Sequence, residues 1–467
     1  MARFIGGELQ AEFMGRLRGI DPGRCLVVPV DVGKSMAMSL VADHYGEVVT
    51  APFEFDLTES GVANLIEAVA QAERSRSAVV VRVGVEAAGH YHRTVVARLR
   101  RAGLEVVELN PGAVKQARSQ QLLRALKSDA RDLGAMAELL TRGAGRPPEE
   151  RDQALLTQVA WTAHRRRKVK ARTALTNQVL AQLDLIFPGL QECFTAGVLS
   201  TKAGRVLVRD LVEPSRIKRL GDEGVRRFVA RRAVQMSRPK AASITAAARN
   251  ALSLSEEELV ARTAVFSADI VLFDYLDTMI AEADQQLSEV LGATPAAVLT
   301  SLPGISVIRA SNYGAEIGDP WRFRSAEAAY RFSGLVPASY ESAKKARPGQ
   351  HISKEGSVEL REAILDLGKG LAQFDPDFAD YKRRLVSEGK KRSVAAVAVG
   401  HRAHRLAFSM LRSGHPYDRD QWARSVATGR SVMAKAPRET HQNDVTCPSP
   451  VLTFTEDLIG HKHALLR

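Results

Sequence analysis

The segment Cys25-Leu-Val-Val-Pro-Val-Asp31-Val-Gly-Lys34 is followed by a second alternating run, Ser35-Met-Ala-Met-Ser-Leu-Val-Ala-Asp43. A mainly apolar run, a short break that contains Gly33 and a second run form the pattern of a β-hairpin. A third β-like run covers 47–55. We therefore predict that the stretch from Arg24 onward begins with three consecutive strands and that Asp31 stands near the turn end of the first strand.

Helical and strand patterns then alternate. The predicted elements are a helix around 57–69, a buried strand over 78–85 that ends at Glu86, a helix over 90–101, a strand over 103–109 and a helix over 127–140. Ser128 is placed to cap the last helix, and the two aspartates behind it stand three residues apart, on one helix face. The predicted order is βββαβαβα.

Four carboxylates occupy the ends of these elements: Asp31, Glu86, Asp129 and Asp132. Two acids at strand ends and two on a late helix can converge on a divalent cation, because Mg²⁺ prefers carboxylate oxygen and keeps positions open for phosphate. Each acid alone also has an ordinary interpretation, as a turn aspartate, a helix cap or a first-turn acid. Their combination in one fold order predicts a metal site.

Composition restricts the possible functions. The 467 residues suffice for two or three domains, and the formal net charge of +13 favours a polyanionic partner. Cys25, Cys193 and Cys447 are far apart, which argues against a disulfide scaffold or a zinc site and suits a reducing cytoplasm. No apolar run approaches about eighteen residues, so a membrane partner is not expected.

A Gly/Pro/Arg-rich connector over 142–151 predicts a domain boundary. It precedes a helix with a dense basic face, where we predict phosphate contacts by Arg165, Arg166, Arg167, Lys168, Lys170 and Arg172. The alternative is a solvated charged face. Helical periodicity continues over 176–292, and apolar residues from Leu276 to Val290 repeat at the spacing of a helix seam or short coiled coil.

A further unit begins near Pro295. It contains the tight turn Leu302-Pro-Gly-Ile305, the segment Gly334-Leu-Val-Pro337 and a basic loop, and it ends in helices. The loop residues of interest are Ser342, Lys344, Lys345 and Lys354. We predict domains over 24–145, 152–292 and 295–418, followed by a tail over 421–467 that carries no functional interpretation.

Taken in order, these motifs resemble the DEDD-type transposases of the insertion sequence 110 family, which are bridge-RNA-guided serine recombinases. The segments that carry the resemblance are Asp31-Val-Gly-Lys34, Val85-Glu86-Ala-Ala-Gly89-His-Tyr91, Lys127-Ser-Asp129-Ala-Arg-Asp132, Leu302-Pro-Gly-Ile305, Gly334-Leu-Val-Pro337 with Ser342, Ile352-Ser-Lys-Glu-Gly356, and Gly389-Lys-Lys-Arg-Ser-Val-Ala-Ala396. The resemblance implies an N-terminal ribonuclease-H-like (RuvC-like) α/β domain, a helical and coiled-coil middle and a mostly helical C-terminal transposase domain.

The resemblance also implies a composite active site. Asp31, Glu86, Asp129 and Asp132 match the acidic tetrad that would bind Mg²⁺. Ser342 matches the nucleophile that attacks a DNA phosphodiester and forms a covalent phosphoserine link. Ala343 stands where the family usually has glycine, and Ser339 and Ser353 are the neighbouring hydroxyls.

The implied partners are double-stranded donor and target DNA, a structured guide RNA and further copies of the chain in a dimer or tetramer. The implied location is the bacterial cytoplasm, in association with the nucleoid. Lys344, Lys345 and Lys354 would add phosphate contacts to those of the basic helix.

Three other functions stay open. A metal-dependent nuclease or Holliday-junction resolvase that activates water would use the same acids and charge. An actin-like ATP-dependent kinase is suggested by Asp31-Val-Gly-Lys-Ser35, but the C-terminal half lacks the second phosphate hairpin and the adenosine loop that such a kinase needs. In a non-catalytic nucleic-acid-binding protein, substitution of the acids would leave every activity intact.

Overall fold

The computed structural model describes residues 8–87, 90–121, 129–337, 341–342, 345–346, 351–420 and 422. The chain divides into two compact units, Met1–Asp152 and Gln153–Arg467. The described elements of the first unit are α1 (Glu8–Arg16), β1 (Cys25–Val32), β2 (Met36–Asp43), β3 (Val48–Asp56), α2 (Glu59–Arg76), β4 (Val80–Glu86), α3 (His92–Arg101), β5 (Glu105–Leu109), α4 (Pro111–Gln121) and α5 (Asp129–Thr141).

These strands form a five-stranded mixed sheet in the order β3-β2-β1-β4-β5. The pairs β1–β2 and β2–β3 are antiparallel, whereas β1–β4 and β4–β5 are parallel. β1 is buried at every position except Asp31, as expected for a central strand covered on both faces. The mixed α/β start of the fold and the predicted order of its five strands are confirmed.

The sheet is covered by helices on both faces. Leu26, Val28 and Val30 of β1 join the core formed with α2 and α3. Val27 of the same strand belongs to a second core with Leu133 and the rest of α5. Because side chains alternate along a strand, each residue of β1 can be assigned to one of these two faces.

Helix α4 was not predicted. It begins at Pro111, which suits the first helical position, and the Asn110 side chain accepts a hydrogen bond from the Gly112 amide at 2.7 Å. Val114 and Ala117 are its described buried side chains. The helix is mostly polar, so its sequence shows no clear apolar stripe.

The second unit is mainly helical among its described residues. Its elements are α6 (Gln153–Ile186), α7 (Lys202–Asp210), α8 (Pro214–Ala230), α9 (Arg238–Asn250), α10 (Glu256–Leu291), α11 (Val307–Ile317), α12 (Ala326–Phe332), β6 (Glu341–Ser342), β7 (Lys345–Ala346), α13 (Val358–Phe374), α14 (Pro376–Ser387) and α15 (Arg392–Ser413). Among the described helices, none has the length and hydropathy needed to cross a membrane.

The long helices α6 and α10 pack along each other. The predicted seam of α10 is buried at Leu276, Ala283 and Leu287. Leu183 and Ile186 of α6 are buried as well. Helices α7, α8 and α9 lie between these two helices in sequence and share a core with them.

A separate core joins α11, α12, α13 and α15. Its centre holds His404, whose Nδ1 lies 2.9 Å from the Tyr313 hydroxyl and whose Nε2 lies 2.8 Å from the carbonyl oxygen of Ala326. A carbonyl oxygen only accepts, so we assign the ring proton to Nε2, and Nδ1 then accepts from Tyr313. Burial lowers the pKa of His404 to about 4 and raises that of Tyr330, whose ring packs against His404, to about 12.

Candidate active site

Asp31 and Glu86 stand at corresponding ends of neighbouring parallel strands. The register of β1 and β4 pairs Val30 with Val85, and the two acids are the next residue in each strand. Adjacent strands lie about 4.8 Å apart, so the two backbones hold these carboxylates side by side at the carboxyl edge of the sheet. Both acids are half-buried.

The two acids also share one face of the sheet. Asp31 has the same parity along β1 as Val27, which packs in the core with α5. Glu86 has the parity of Gly84, whose hydrogens face Leu140 of α5. Alternation along each strand therefore directs both acids toward the face that α5 covers.

Helix α5 runs antiparallel to β4 on this face. Leu140 lies over Gly84, and the carbonyls of Gly143 and Ala144 accept hydrogen bonds from Arg82, which precedes Gly84 in β4. The C-terminal end of α5 thus lies toward the start of the strand. Its first turn, which begins at Asp129, is consequently directed toward the carboxyl edge of the sheet.

Asp132 lies in this first turn and is 6% exposed. The Arg118 guanidinium of α4 donates to both of its carboxylate oxygens, Nη1 lying 2.8 Å from Oδ1 and 3.0 Å from Oδ2. Asp132 is therefore charge-compensated by an arginine. Arg118 could not be predicted from the sequence, because no local pattern marks an ion-pair partner in another helix.

The four carboxylates were predicted to hold a divalent metal. Within the part of the chain that the structure describes, no three His, Cys, Asp or Glu side chains are grouped as ligands. Asp129 begins α5, but its side chain lies outside that part. The donor chemistry nevertheless fits a hard divalent cation, because the acids supply only carboxylate oxygens from one edge of the sheet and one helix start.

Ser342 belongs to the second unit, in the two-residue strand β6, where it pairs with Lys345 of β7. The side chains of Ser342 and Lys345, together with Ser339 and Lys344, lie outside the described residues. Lys354 is exposed, with φ of +59°.

The hydroxyl of the half-buried Ser353 is engaged with the backbone. It donates to the Gly334 carbonyl at 3.4 Å and accepts from the Glu355 amide at 3.3 Å. These contacts hold the segment after the basic loop in place. Of the two hydroxyl groups that neighbour Ser342 in the sequence, that of Ser353 therefore has a structural role.

The basic face of α6 is partly neutralised by acids from other helices. Arg165 pairs with Asp284, and Arg172 pairs with Asp277, both in α10. Arg166 contacts Glu316 of α11 at 3.1 Å. The local sequence does not reveal these acids, because they come from positions more than a hundred residues away.

The basic face contains three further cations besides these paired arginines. Arg167 and Lys170 are exposed and Lys168 is half-buried. Among the described residues, none of the three forms an ion pair with a carboxylate. Phosphate contact by the basic face stays a prediction, and these three side chains are the best placed for it.

Two transposase family models match parts of this chain. Residues 28–188 match the DEDD transposase family of IS110, and residues 296–383 match a second family described as "Transposase IS116/IS110/IS902 family". The first match covers the sheet from Val28 onward, α5 and all four acids, and the second covers Ser342.

Three curated relatives match most of the chain. The "Insertion element IS116 uncharacterized 44.8 kDa protein" of Streptomyces clavuligerus is 24% identical over 388 residues, 82% of this chain and 94% of the relative. The "Transposase for insertion sequence element IS1111A" of Coxiella burnetii is 22% identical over 402 residues, 84% and 91% of the two chains. The "Insertion element IS900 uncharacterized 42 kDa protein" of Mycobacterium paratuberculosis is 23% identical over 397 residues, 83% and 96%.

Two matched transposase domains in the expected order, with the acids of the first at one edge of a mixed sheet, identify the chain as a transposase of the IS110 family.

Proposed function

We propose that this transposase cuts and rejoins double-stranded DNA through a covalent phosphoserine intermediate at Ser342, with Mg²⁺ held by Asp31, Glu86, Asp129 and Asp132 in a RuvC-like domain. The observation that supports this most is the shared edge and face of Asp31 and Glu86, toward which the first turn of α5 is directed. Such an arrangement is suited to phosphoryl transfer.

In the proposed reaction the Ser342 hydroxyl oxygen attacks a DNA phosphorus atom. A bond forms between phosphorus and Oγ, and the bond from phosphorus to one sugar oxygen breaks. That oxygen leaves with the electron pair and takes up a proton, while the serine proton passes to a base or to solvent. A sugar hydroxyl of the exchanged strand then attacks the phosphoserine, which reforms a phosphodiester and frees the serine.

The acids would act before and during this attack. Bound Mg²⁺ would neutralise charge on the phosphate and favour the ionised hydroxyl. The protein would position the carboxylates at a fixed spacing. The pairing of β1 with β4 provides this spacing for Asp31 and Glu86. Arg118 would occupy the Asp132 carboxylate until a bound cation displaces it.

We further propose that a structured guide RNA selects the donor and target DNA and that the protein acts as a dimer or tetramer. The net charge of +13 supports a polyanionic partner, and the exposed Arg167 and Lys170 offer two contact points. The choice of RNA as this polyanionic partner rests on the family resemblance.

The test is a trapping assay. Purified protein is mixed with DNA of the element's end, RNA transcribed from the element's flank and Mg²⁺, and the products are separated on a denaturing gel. We expect a protein–DNA adduct with the wild type and its loss in Ser342→Ala and Asp31→Asn. Ser353→Ala is the matched control and should keep the adduct, because its hydroxyl serves the backbone.

A different result would identify a water-using nuclease. In that case the DNA is cut without an adduct, and Ser342→Ala cuts as well as the wild type. Dependence on Asp31 would then support the metal site alone.

A further inference from the structure

Trp321 presents its indole at the surface of the second unit. It is 57% exposed, whereas Trp161 and Trp422 are partly buried and pack against aromatic rings. Its backbone is held in a one-turn 3-10 helix over Pro320–Arg322, where the Trp321 amide donates to the Asp319 carboxylate at 2.9 Å. The hydrogen-bonded turn therefore keeps the large apolar ring exposed to solvent.

Neighbouring hydrogen bonds hold the same turn. The Arg322 guanidinium donates to the carbonyls of Ile317 at 2.9 Å and Glu316 at 2.8 Å, which ties the turn to the end of α11. Phe323, the residue after the turn, is buried in the core of the unit. A turn whose backbone is held in this way loses little conformational entropy when a ligand stacks on its exposed side chain.

Arg412 of α15 supports the indole. Its guanidinium lies 4.7 Å from the Trp321 ring centroid and 4.9 Å from that of Phe408, so it is in contact with both rings. It donates to the Phe323 carbonyl, and its Nε is buried without a hydrogen-bond partner among the described residues. Burial lowers the pKa of Arg412, and the Asp319 carboxylate of the Trp321 turn partly offsets this effect by attracting its charge.

A second cation lies close in sequence. Arg324 is exposed and forms no ion pair within the described part of the chain. An aromatic ring backed by a guanidinium, with an unpaired arginine three residues along, combines the two features that bind single-stranded nucleic acid: a stacking surface for a base and cations for its phosphates.

We propose that Trp321, with Arg412 behind it and Arg324 beside it in sequence, is a stacking site for an unpaired nucleobase of a bound nucleic acid. The inference takes nucleic acid as the partner from the proposed function. It adds a base contact in the second unit, distinct from the phosphate contacts of α6. The base can belong to RNA or to a single DNA strand, which share this chemistry.

The test compares oligonucleotides that differ only in their bases. Fluorescence anisotropy without metal measures the affinity of the full chain for single-stranded RNA, single-stranded DNA, an abasic strand of equal length and duplex DNA. The variants are Trp321→Ala, Trp321→Phe, which keeps an aromatic ring, and Tyr275→Ala, which removes a 59% exposed aromatic side chain of α10. Circular dichroism verifies folding.

We expect Trp321→Ala to weaken binding of at least one base-containing strand by about 5- to 150-fold, the equivalent of about 1–3 kcal/mol for one stacked base. Binding to the abasic strand and the duplex should stay unchanged. Trp321→Phe should lose only a small part of the affinity, and Tyr275→Ala none. Whether the loss falls on RNA or on DNA identifies the source of the base.

Two results would overturn the inference: no loss of affinity with Trp321→Ala, or an equal loss for abasic and base-containing strands. Unchanged affinity together with a shift in oligomeric state by sedimentation would assign Trp321 to a contact between copies of the chain. Because the assay needs neither Mg²⁺ nor Ser342, its outcome is independent of whether the covalent adduct forms.

Discussion

Gly84 of β4 lies directly under Leu140 of α5. A Cβ added at Gly84 would come within 2.5 Å of Leu140 Cδ2 and 2.9 Å of its Cγ. Leu140 is fully buried, so it has little room to move. The missing side chain at Gly84 therefore sets how closely α5 approaches the sheet, and with it the approach of the first turn of α5 toward Asp31 and Glu86.

Gly84→Val should destabilise the first unit by about 1–3 kcal/mol, the usual cost of overpacking a filled core. It should also raise the Mg²⁺ concentration needed for DNA cleavage, because α5 is pushed away from the strand ends. Urea unfolding and a Mg²⁺ titration of cleavage measure the two effects. Gly134→Ala is the matched control: a Cβ there meets nothing within 4 Å, so stability should hold or rise. Equal behaviour of the two variants would contradict the packing role of Gly84.

Arg118→Gln should lower the Mg²⁺ concentration that gives half-maximal cleavage, by about 5-fold for an ion pair of about 1 kcal/mol. The reason is competition, since the guanidinium occupies both oxygens of Asp132. Arg98→Gln, which breaks an ion pair with Glu59 in the same unit, is the control and should leave the titration unchanged. A higher Mg²⁺ requirement in Arg118→Gln would mean that the arginine positions Asp132 rather than competing for it.

Substitutions on the basic face of α6 should have two kinds of effect, one on nucleic-acid binding and one on stability. Arg167→Ala and Lys170→Ala should weaken RNA or duplex binding and each reduce the slope of log affinity against log salt by about 1, with unchanged thermal stability. Arg172→Ala should lower thermal stability, because it leaves Asp277 with Arg205 as its one remaining ion-pair partner in the described structure. Affinity that barely responds to added salt would contradict phosphate contact.

His404 should make the stability of the second unit depend on pH. Its pKa is about 4 when folded, against 6.5 for an ordinary histidine, because burial disfavours the charged ring. Between these values the unfolded chain binds more protons, so stability is complete above about pH 6.5 and falls as the pH drops toward 4. The loss from this group is at most about 3 kcal/mol, at 1.36 kcal/mol per pKa unit.

Urea unfolding between pH 4 and 7 measures this dependence. His404→Gln should flatten the slope in this range, whereas His415→Gln, at an exposed position, should keep it. An unchanged slope in His404→Gln would assign the pH dependence to other groups.

The sheet and two of its acids could be predicted from sequence because they depend on local pattern. The apolar run of β1 and its parity place Asp31, and the carboxyl ends of parallel strands share an edge, which brings in Glu86. Each of these acids ends a strand-length apolar run, which is a local pattern in the sequence.

Other features depend on contacts that no local pattern encodes. Helix α4 has no apolar stripe, and Arg118 reaches Asp132 from that helix. The acids opposite Arg165 and Arg166 come from α10 and α11. The relation of Ser342 to the acids spans the two units, so its role stays a prediction from the family motif.

The most direct measurement is the site of the covalent link. After the trapping reaction the adduct is digested with trypsin and nuclease, and fragmentation mass spectrometry locates the remaining nucleotide on the peptide. We predict a nucleotide on Ser342, formed only with Mg²⁺ and absent in Asp31→Asn. Cut DNA with no modified peptide, or a nucleotide on Ser339 or Ser353, would contradict the assignment of Ser342 as the nucleophile.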